Sequence, residues 1–137
     1  EIRPAKLVGA TIEAADVPRL VDELPLFALA AACARGESVV RGAAELRQKE
    51  TDRIEAVVDG LHALGVRIRG TEDGFEIKGV PARIRGGALD ARGDHRVAML
   101  GAVAGLASRE GVEVRGAEAV KVSFPGFYDL LAELVKA

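Results

Sequence analysis

The sequence predicts an α/β domain (α+β in the detail of its sheets) in which amphipathic helices lie against sheets, built from two similar units. Three observations predict it. Ile54, Val57, Val58, Leu61 and Leu64 recur at helical spacing and make one apolar stripe. "VRIRG" (66–70) and "GFEIKG" (74–79) alternate apolar and polar residues about a polar turn, as a half-buried hairpin does. Val40-Arg41-Gly42-Ala43 returns as Val114-Arg115-Gly116-Ala117, an offset of 74 residues, and the same offset aligns "LPLFALAAACARG" with "VAMLGAVAGLASREG". Each half therefore reads as helix, strand, short extended segment, helix, with the first unit over 1–80 and a second, incomplete unit over 81–137.

The elements follow in order. Pro25 suits a first helical turn, no β-branched residue interrupts 24–35, and Gly36 suits the stop. Thr51 or Glu50 opens the next helix, and Gly65 ends it before the hairpin. In the second half Asp94 is a cap for a helix carrying Val97, Leu100, Ala104 and Leu106. Pro125 opens a last helix through Leu130, Leu131 and Leu134. No low-complexity linker separates the halves.

Composition narrows the functional classes. A chain of 137 residues that is 49% hydrophobic and 29% charged is expected to be globular, burying roughly 70% of its unfolded surface. Its longest apolar run, "LPLFALAAACA", is too short to span a bilayer and reads as a buried helix. A net charge of -2 gives no global attraction to nucleic acid or to an anionic membrane, so any anion site must be local. The few aromatics are not interleaved with basic residues, which argues further against nucleic acid. Cys33 is the single cysteine, which excludes an intrachain disulfide and suits a reducing, cytoplasmic setting; inside an alanine-rich run it reads as core packing. His62 and His95 lie far apart without ligand spacing, so no metal site is expected. Arg67, Arg69, Arg83 and Arg85 alternate with apolar residues and read as solvent faces of strands. The chain opens on Glu1 rather than Met, and is expected to be a piece of a longer protein.

The charged stretch "RQKETDRI" is the unusual one. Lys49, Glu50, Asp52 and Arg53 crowd the start of a helix, where free amides and the helix dipole favour an anion. Acidic residues there are ordinary capping, and a cationic neighbour is commonly a solvated partner worth at most about 1 kcal/mol. Lys49 and Arg53 oppose the dipole, which capping does not explain. A second charged cluster, Asp94, His95 and Arg96, stands at another helix start, and the repeat offset sets Arg96 against Asp22 beside the first helix. Asp22, Glu50, Arg53, His95 and Arg96 together supply acid/base groups and guanidiniums suited to a small polyanion.

"VPRLVDELPLFALAAACARGESVVRGAAELRQKETDRI", "GDHRVAM" and "VSFPGF" resemble, in order and spacing, the C-terminal part of the 5-enolpyruvylshikimate-3-phosphate synthase (3-phosphoshikimate 1-carboxyvinyltransferase) family, and the likeness runs over essentially all 137 residues. The resemblance implies the enolpyruvyl transferase fold of six repeated βαβαββ units in two domains, about two of which lie in this chain. It implies transfer of the enolpyruvyl group of phosphoenolpyruvate to the 5-hydroxyl of shikimate 3-phosphate in aromatic amino acid biosynthesis, without an organic cofactor. The partners it implies are those two small molecules and the missing remainder of the enzyme, with the isolated chain inactive. Asp22 matches the family aspartate at the shikimate hydroxyls and is the candidate base. Glu50 matches the glutamate implicated in proton transfer at the methylene group, with Lys49 beside it. Arg53 and Arg96 match arginines that hold phosphoenolpyruvate, and His95 matches a supporting histidine.

Two positions depart from some members. Val122 stands where they have a substrate-binding lysine, and Lys121, one residue earlier, would face the other side of a strand. Glu45 stands where they have an asparagine that binds shikimate 3-phosphate. Both fit a branch carrying "ELR.KE.DR" and "SFPGF". The nearest rival is the sister enzyme acting on UDP-N-acetylglucosamine, against which "KETDRI" and "DHRVAM" favour shikimate. A non-catalytic anion-binding module of the same fold is the rival from another class, and would be expected to lose Glu50 or Arg96.

Overall fold

Parallel strand pairing across a helical crossover is common to both halves of the chain, for which a computed structural model describes residues 1–137. In the first half β1 (Thr11–Ile12) pairs with β2 (Gly36–Val40), Thr11 opposite Val39, and the chain between them forms α1 (Val17–Leu20) and α2 (Leu24–Ala32). A 3-10 segment over Ala44–Gln48 leads into α3 (Arg53–Ala63) and then the hairpin of β3 (Arg67–Thr71) and β4 (Gly74–Gly79). Because β4 also pairs antiparallel with β2, the first sheet runs β1-β2-β4-β3. In the second half β5 (Gly87–Asp90) and β6 (Val112–Arg115) pair in parallel across α4 (His95–Leu106), forming a separate two-stranded sheet. A 3-10 segment over Ala117–Val122 and α5 (Phe127–Lys136) follow.

The predicted stripe is the buried face of α3. Ile54, Val57, Leu61 and Leu64 join Leu24, Leu46, Phe75, Ile77, Leu89 and Leu100 in one core under both sheets. Each such side chain taken out of water contributes about 1.5–3 kcal/mol. Leu89 sits between α3 and α4, and both helices present a glycine to it. A Cβ on Gly60 would lie 2.9 Å from Leu89 Cδ1, and one on Gly101 would lie 3.1 Å from Cδ2 and 2.9 Å from Val114 Cγ2. The missing side chains let the helices close over the strand.

Four local expectations need correction. The first long helix ends at Ala32 and Gly36 starts β2 with φ of 93° instead of stopping the helix. Asp52, not Thr51 or Glu50, caps α3, its side chain accepting from Glu55 N–H at 3.0 Å. The last helix starts at Phe127, two residues beyond Pro125. The segments expected to be extended before α3 and α5 are 3-10 turns. In the second of them Lys121 and Val122 are both exposed, so strand alternation does not govern which way Lys121 faces.

α5 buries no residue. Its first turn is held by Phe127, edge-on to Phe124 and Tyr128, and by the Tyr128 hydroxyl donating to Ala117 C=O at 3.1 Å. No helix is long and apolar enough to cross a membrane.

Candidate functional site

The starts of α2, α3 and α4 come together, because these three helices pack on one another over the common core. Each start brings charge with it: Asp22 and Glu23 before α2, Glu50 and Arg53 at α3, and Asp94, His95 and Arg96 at α4.

Arg53 is the centre. It lies on the apolar side of α3, in step with Val57 and Leu61, and its side chain is 1% exposed. Nε donates to Asp94 Oδ2 at 2.9 Å and Nη2 to Asp94 Oδ1 at 3.2 Å, a bidentate pair with a carboxylate that is itself 0% exposed. Nη2 also donates to Glu50 Oε2 at 2.5 Å, and Nη1 to Asp22 Oδ1 at 3.3 Å. A charge buried this deeply is tolerated only when paired and hydrogen-bonded, and no buried side-chain polar atom lacks a partner. Three carboxylates around the guanidinium explain why a cation stands at a helix start against the dipole.

Asp94 does two things at once. Besides holding Arg53 it caps α4, accepting from the Arg96 and Val97 amides at 2.9 and 3.4 Å. Arg96 then reaches back to α2, with Nη2 3.4 Å from Asp22 Oδ2 and Nη1 4.0 Å from Glu23 Oε1. Asp22 thus bridges Arg53 and Arg96 with one oxygen on each. The guanidinium fills the space among the carboxylates that a cation would otherwise take, and no group of His, Cys, Asp and Glu is arranged to hold a metal ion.

Of the residues expected from the sequence, Asp22, Glu50, Arg53 and Arg96 are brought into contact. Lys49, at the turn before α3, and His95, the first residue of α4, are half-buried and make no ion pair or side-chain hydrogen bond with the cluster. Glu45 is exposed on the 3-10 turn. Asp94, expected from its position to cap α4, also pairs with Arg53, which its spacing from α3 does not show. A signal was present, since an arginine in step with Val57 and Leu61 on an apolar stripe requires a buried counter-ion.

Two other charged features lie apart from the cluster. Asp52 also accepts from Arg47 Nη1 at 2.8 Å. Partial burial pushes its carboxyl up, but the Glu55 amide and Arg47 outweigh this and leave it below the usual carboxylate value. A concavity of about 750 Å³ lies on the outer face of the first sheet, and none of the cluster residues lines it. Four of its charges are paired across strands, Arg69 with Glu76 and Lys78 with Glu37, in keeping with a solvated sheet face.

Fold and site define a repeated α/β module that gathers guanidiniums and carboxylates at converging helix starts. A family model described as EPSP synthase (3-phosphoshikimate 1-carboxyvinyltransferase) matches residues 2–131, and the chain belongs to that family. Over 135 residues it is 53% identical to a 3-phosphoshikimate 1-carboxyvinyltransferase of Roseiflexus sp. (strain RS-1), covering 98% of this chain and 31% of that protein. A relative of the same name from Desulfitobacterium hafniense (strain DSM 10664 / DCB-2) is 49% identical over 99% of this chain and 31% of its own length. The chain therefore spans about a third of the curated relatives it matches. The solved EPSP synthase of Acinetobacter baumannii superposes with a TM-score of 0.87 at 40% identity, over 93% of this chain and 30% of that one. The mixed α/β fold of repeated units is thus that of part of an enolpyruvyl transferase.

Proposed function

We propose that this chain forms one wall of the active site of an enzyme that moves the enolpyruvyl group of phosphoenolpyruvate to the 5-hydroxyl of shikimate 3-phosphate and releases phosphate. The observation that carries this reading is the contact set of Arg53 with Asp22 and Glu50, joined by Arg96, at three converging helix starts. Family membership supports it, and so does the charge pattern: planar cations for a carboxylate, and exposed carboxylates for protons.

In this mechanism Asp22 takes the proton of the 5-hydroxyl while that oxygen bonds to C2 of phosphoenolpyruvate, and Glu50 delivers a proton to C3. The product of addition is a tetrahedral adduct. Elimination returns the C3 proton to Glu50, breaks the bond from C2 to the phosphate oxygen and restores the enol double bond, and the departing phosphate takes the proton held by Asp22. Arg53 and Arg96 hold the carboxylate throughout, with Lys49 and His95 supporting. Oxygen acids and bases suffice, so no cofactor is called for. We read residues 1–80 and 81–137 as two of the repeated units, in keeping with strands of the first sheet lying within 11–79 and those of the second within 87–115. The remaining units are the partner that completes the site, and the reaction is assigned to the cytoplasm.

The test uses a full-length protein carrying this segment. It is expected to release phosphate from phosphoenolpyruvate only with shikimate 3-phosphate, and UDP-N-acetylglucosamine does not replace that acceptor. Glu50→Gln is expected to lower kcat about 10²- to 10⁴-fold and to stop exchange of the methylene protons with deuterated solvent. Absence of phosphate release by the unsubstituted protein, or exchange persisting in Glu50→Gln, overturns the reading. The isolated 137-residue chain is expected to release none.

A further inference from the structure

The Arg53 guanidinium has two unlike edges. Its inner edge, Nε and Nη2, meets both oxygens of Asp94, and neither side chain is more than 1% exposed. Asp94 is in turn tied to the first amides of α4. Separating this pair would leave a buried charge without a counter-ion and a helix without its cap, so the inner edge is fixed.

The outer edge meets Glu50 and Asp22, whose side chains are 49% and 41% exposed. Water can replace these carboxylates when they turn away. Asp22 is the more loosely held: its oxygens lie 3.3 Å from Arg53 Nη1 and 3.4 Å from Arg96 Nη2, longer than the roughly 2.7–2.9 Å of a well-formed charge-assisted bond. The four bonds it makes leave Arg53 one N–H, on Nη1, without a protein partner. A carboxylate that spans two guanidiniums with one oxygen on each occupies the place a ligand carboxylate would take.

We propose that Asp94 is a positioning residue that grips Arg53 by its inner edge, and that Asp22 is an internal counter-anion which a ligand carboxylate displaces from Arg53 and Arg96. The inference rests on the function proposed above and adds an order of events to it. The anion enters by exchange rather than into a vacant site, and Asp22 becomes available as a proton acceptor only once the exchange has occurred. Asp94 keeps the guanidinium aimed while the outer partners change.

The experiment compares the full-length protein carrying this segment with its Asp22→Asn and Asp94→Asn variants by NMR of the arginine side-chain N–H groups, with phosphoenolpyruvate as the probe. Asparagine at 94 retains Oδ1 for the α4 amides and for Arg53 Nη2 but turns an NH₂ group toward Arg53 Nε, so the cap is kept while the Nε–H contact is lost. Arg53 Nε–H is expected to be protected from solvent exchange in the unsubstituted chain and in Asp22→Asn, and unprotected in Asp94→Asn. Phosphoenolpyruvate is expected to bind Asp22→Asn more tightly than the unsubstituted chain, and Asp94→Asn about tenfold more weakly. Asp94→Ser, which caps the helix but is too short to reach the guanidinium, replaces the asparagine variant if that one does not fold. Weaker binding by Asp22→Asn overturns displacement, and unchanged Nε–H protection and affinity in the Asp94 variant overturn positioning. If the probe moves neither Arg53 nor Arg96 in any of the proteins, the displacement and the functional reading fall together. Asp94 is then judged by Nε–H protection alone.

Discussion

Arg53 Nε lies 2.9 Å from Asp94 Oδ2, across 41 positions of sequence, and this contact ties the start of α3 to the start of α4. Both side chains are out of water, so the pair is worth less as a source of stability than as a constraint: each member is costly without the other.

Arg53→Met removes the cation and leaves Asp94 buried without its partner. The variant is expected to lose about 3–5 kcal/mol of unfolding free energy, measured by urea denaturation at neutral pH. A loss below about 1 kcal/mol would mean that water reaches Asp94 and that the pair is not buried as described.

Asp52→Ala removes the α3 cap and is expected to cost about 1 kcal/mol. The cost depends on pH with a definite sign. Because the folded carboxyl is held below the value of 3.8, its contribution is complete above that pH and is lost as pH falls through the lower folded value. Melting curves of the two proteins should differ near neutrality and converge below pH 3.8. A gap that persists in acid would remove the carboxylate from the account.

Gly101→Ala improves helix propensity, yet its new methyl group meets Val114 and Leu89 at 2.9 and 3.1 Å. Val114 is stiff at χ1 and Leu89 is wholly buried, so overpacking is expected to win and destabilise the chain by about 1–3 kcal/mol. Thermal melting decides it. A rise in Tm would show that the helix can retreat from the sheet.

Burial pushes the Cys33 thiol above its usual value of 9.0, against a smaller opposing effect of the Ile84 backbone. Alkylation by iodoacetamide should therefore be slow at neutral pH in the folded chain and fast in urea. Equal rates in the two states would contradict the half-buried placement.

What could be read from the sequence was what repeats or what is local. The α3 stripe, the hairpin over 67–79 and the Asp94 cap each rest on neighbours within a few residues, and all three are present. The offset between halves is matched by the order of elements, α2-β2-3-10-α3 against α4-β6-3-10-α5. The α3 cap was ambiguous because Glu50, Thr51 and Asp52 all qualify, and Arg47 helps select Asp52 through a contact that spacing does not show. Val120-Lys121-Val122 alternates like a strand, but Gly116 in the left-handed region turns the chain into a 3-10 segment instead. Candidate site residues were found because charges at helix starts stand out. Their mutual contacts were not, since convergence of three helix ends is set by packing over residues far apart in the chain.

The bridge from Arg53 to Asp94 also governs the order in which the polypeptide can finish folding. Asp22 and Glu50 are made before or with Arg53, whereas Asp94 comes later and belongs to the second half. Without the second half, Arg53 would keep only Asp22 and Glu50, carboxylates that are half-exposed even in the complete chain, and the head of α3 would lose its buried counter-ion. The two halves, similar as they are, share one core and are expected to unfold as one cooperative unit, so that a break between them would yield two pieces that need each other rather than two small domains.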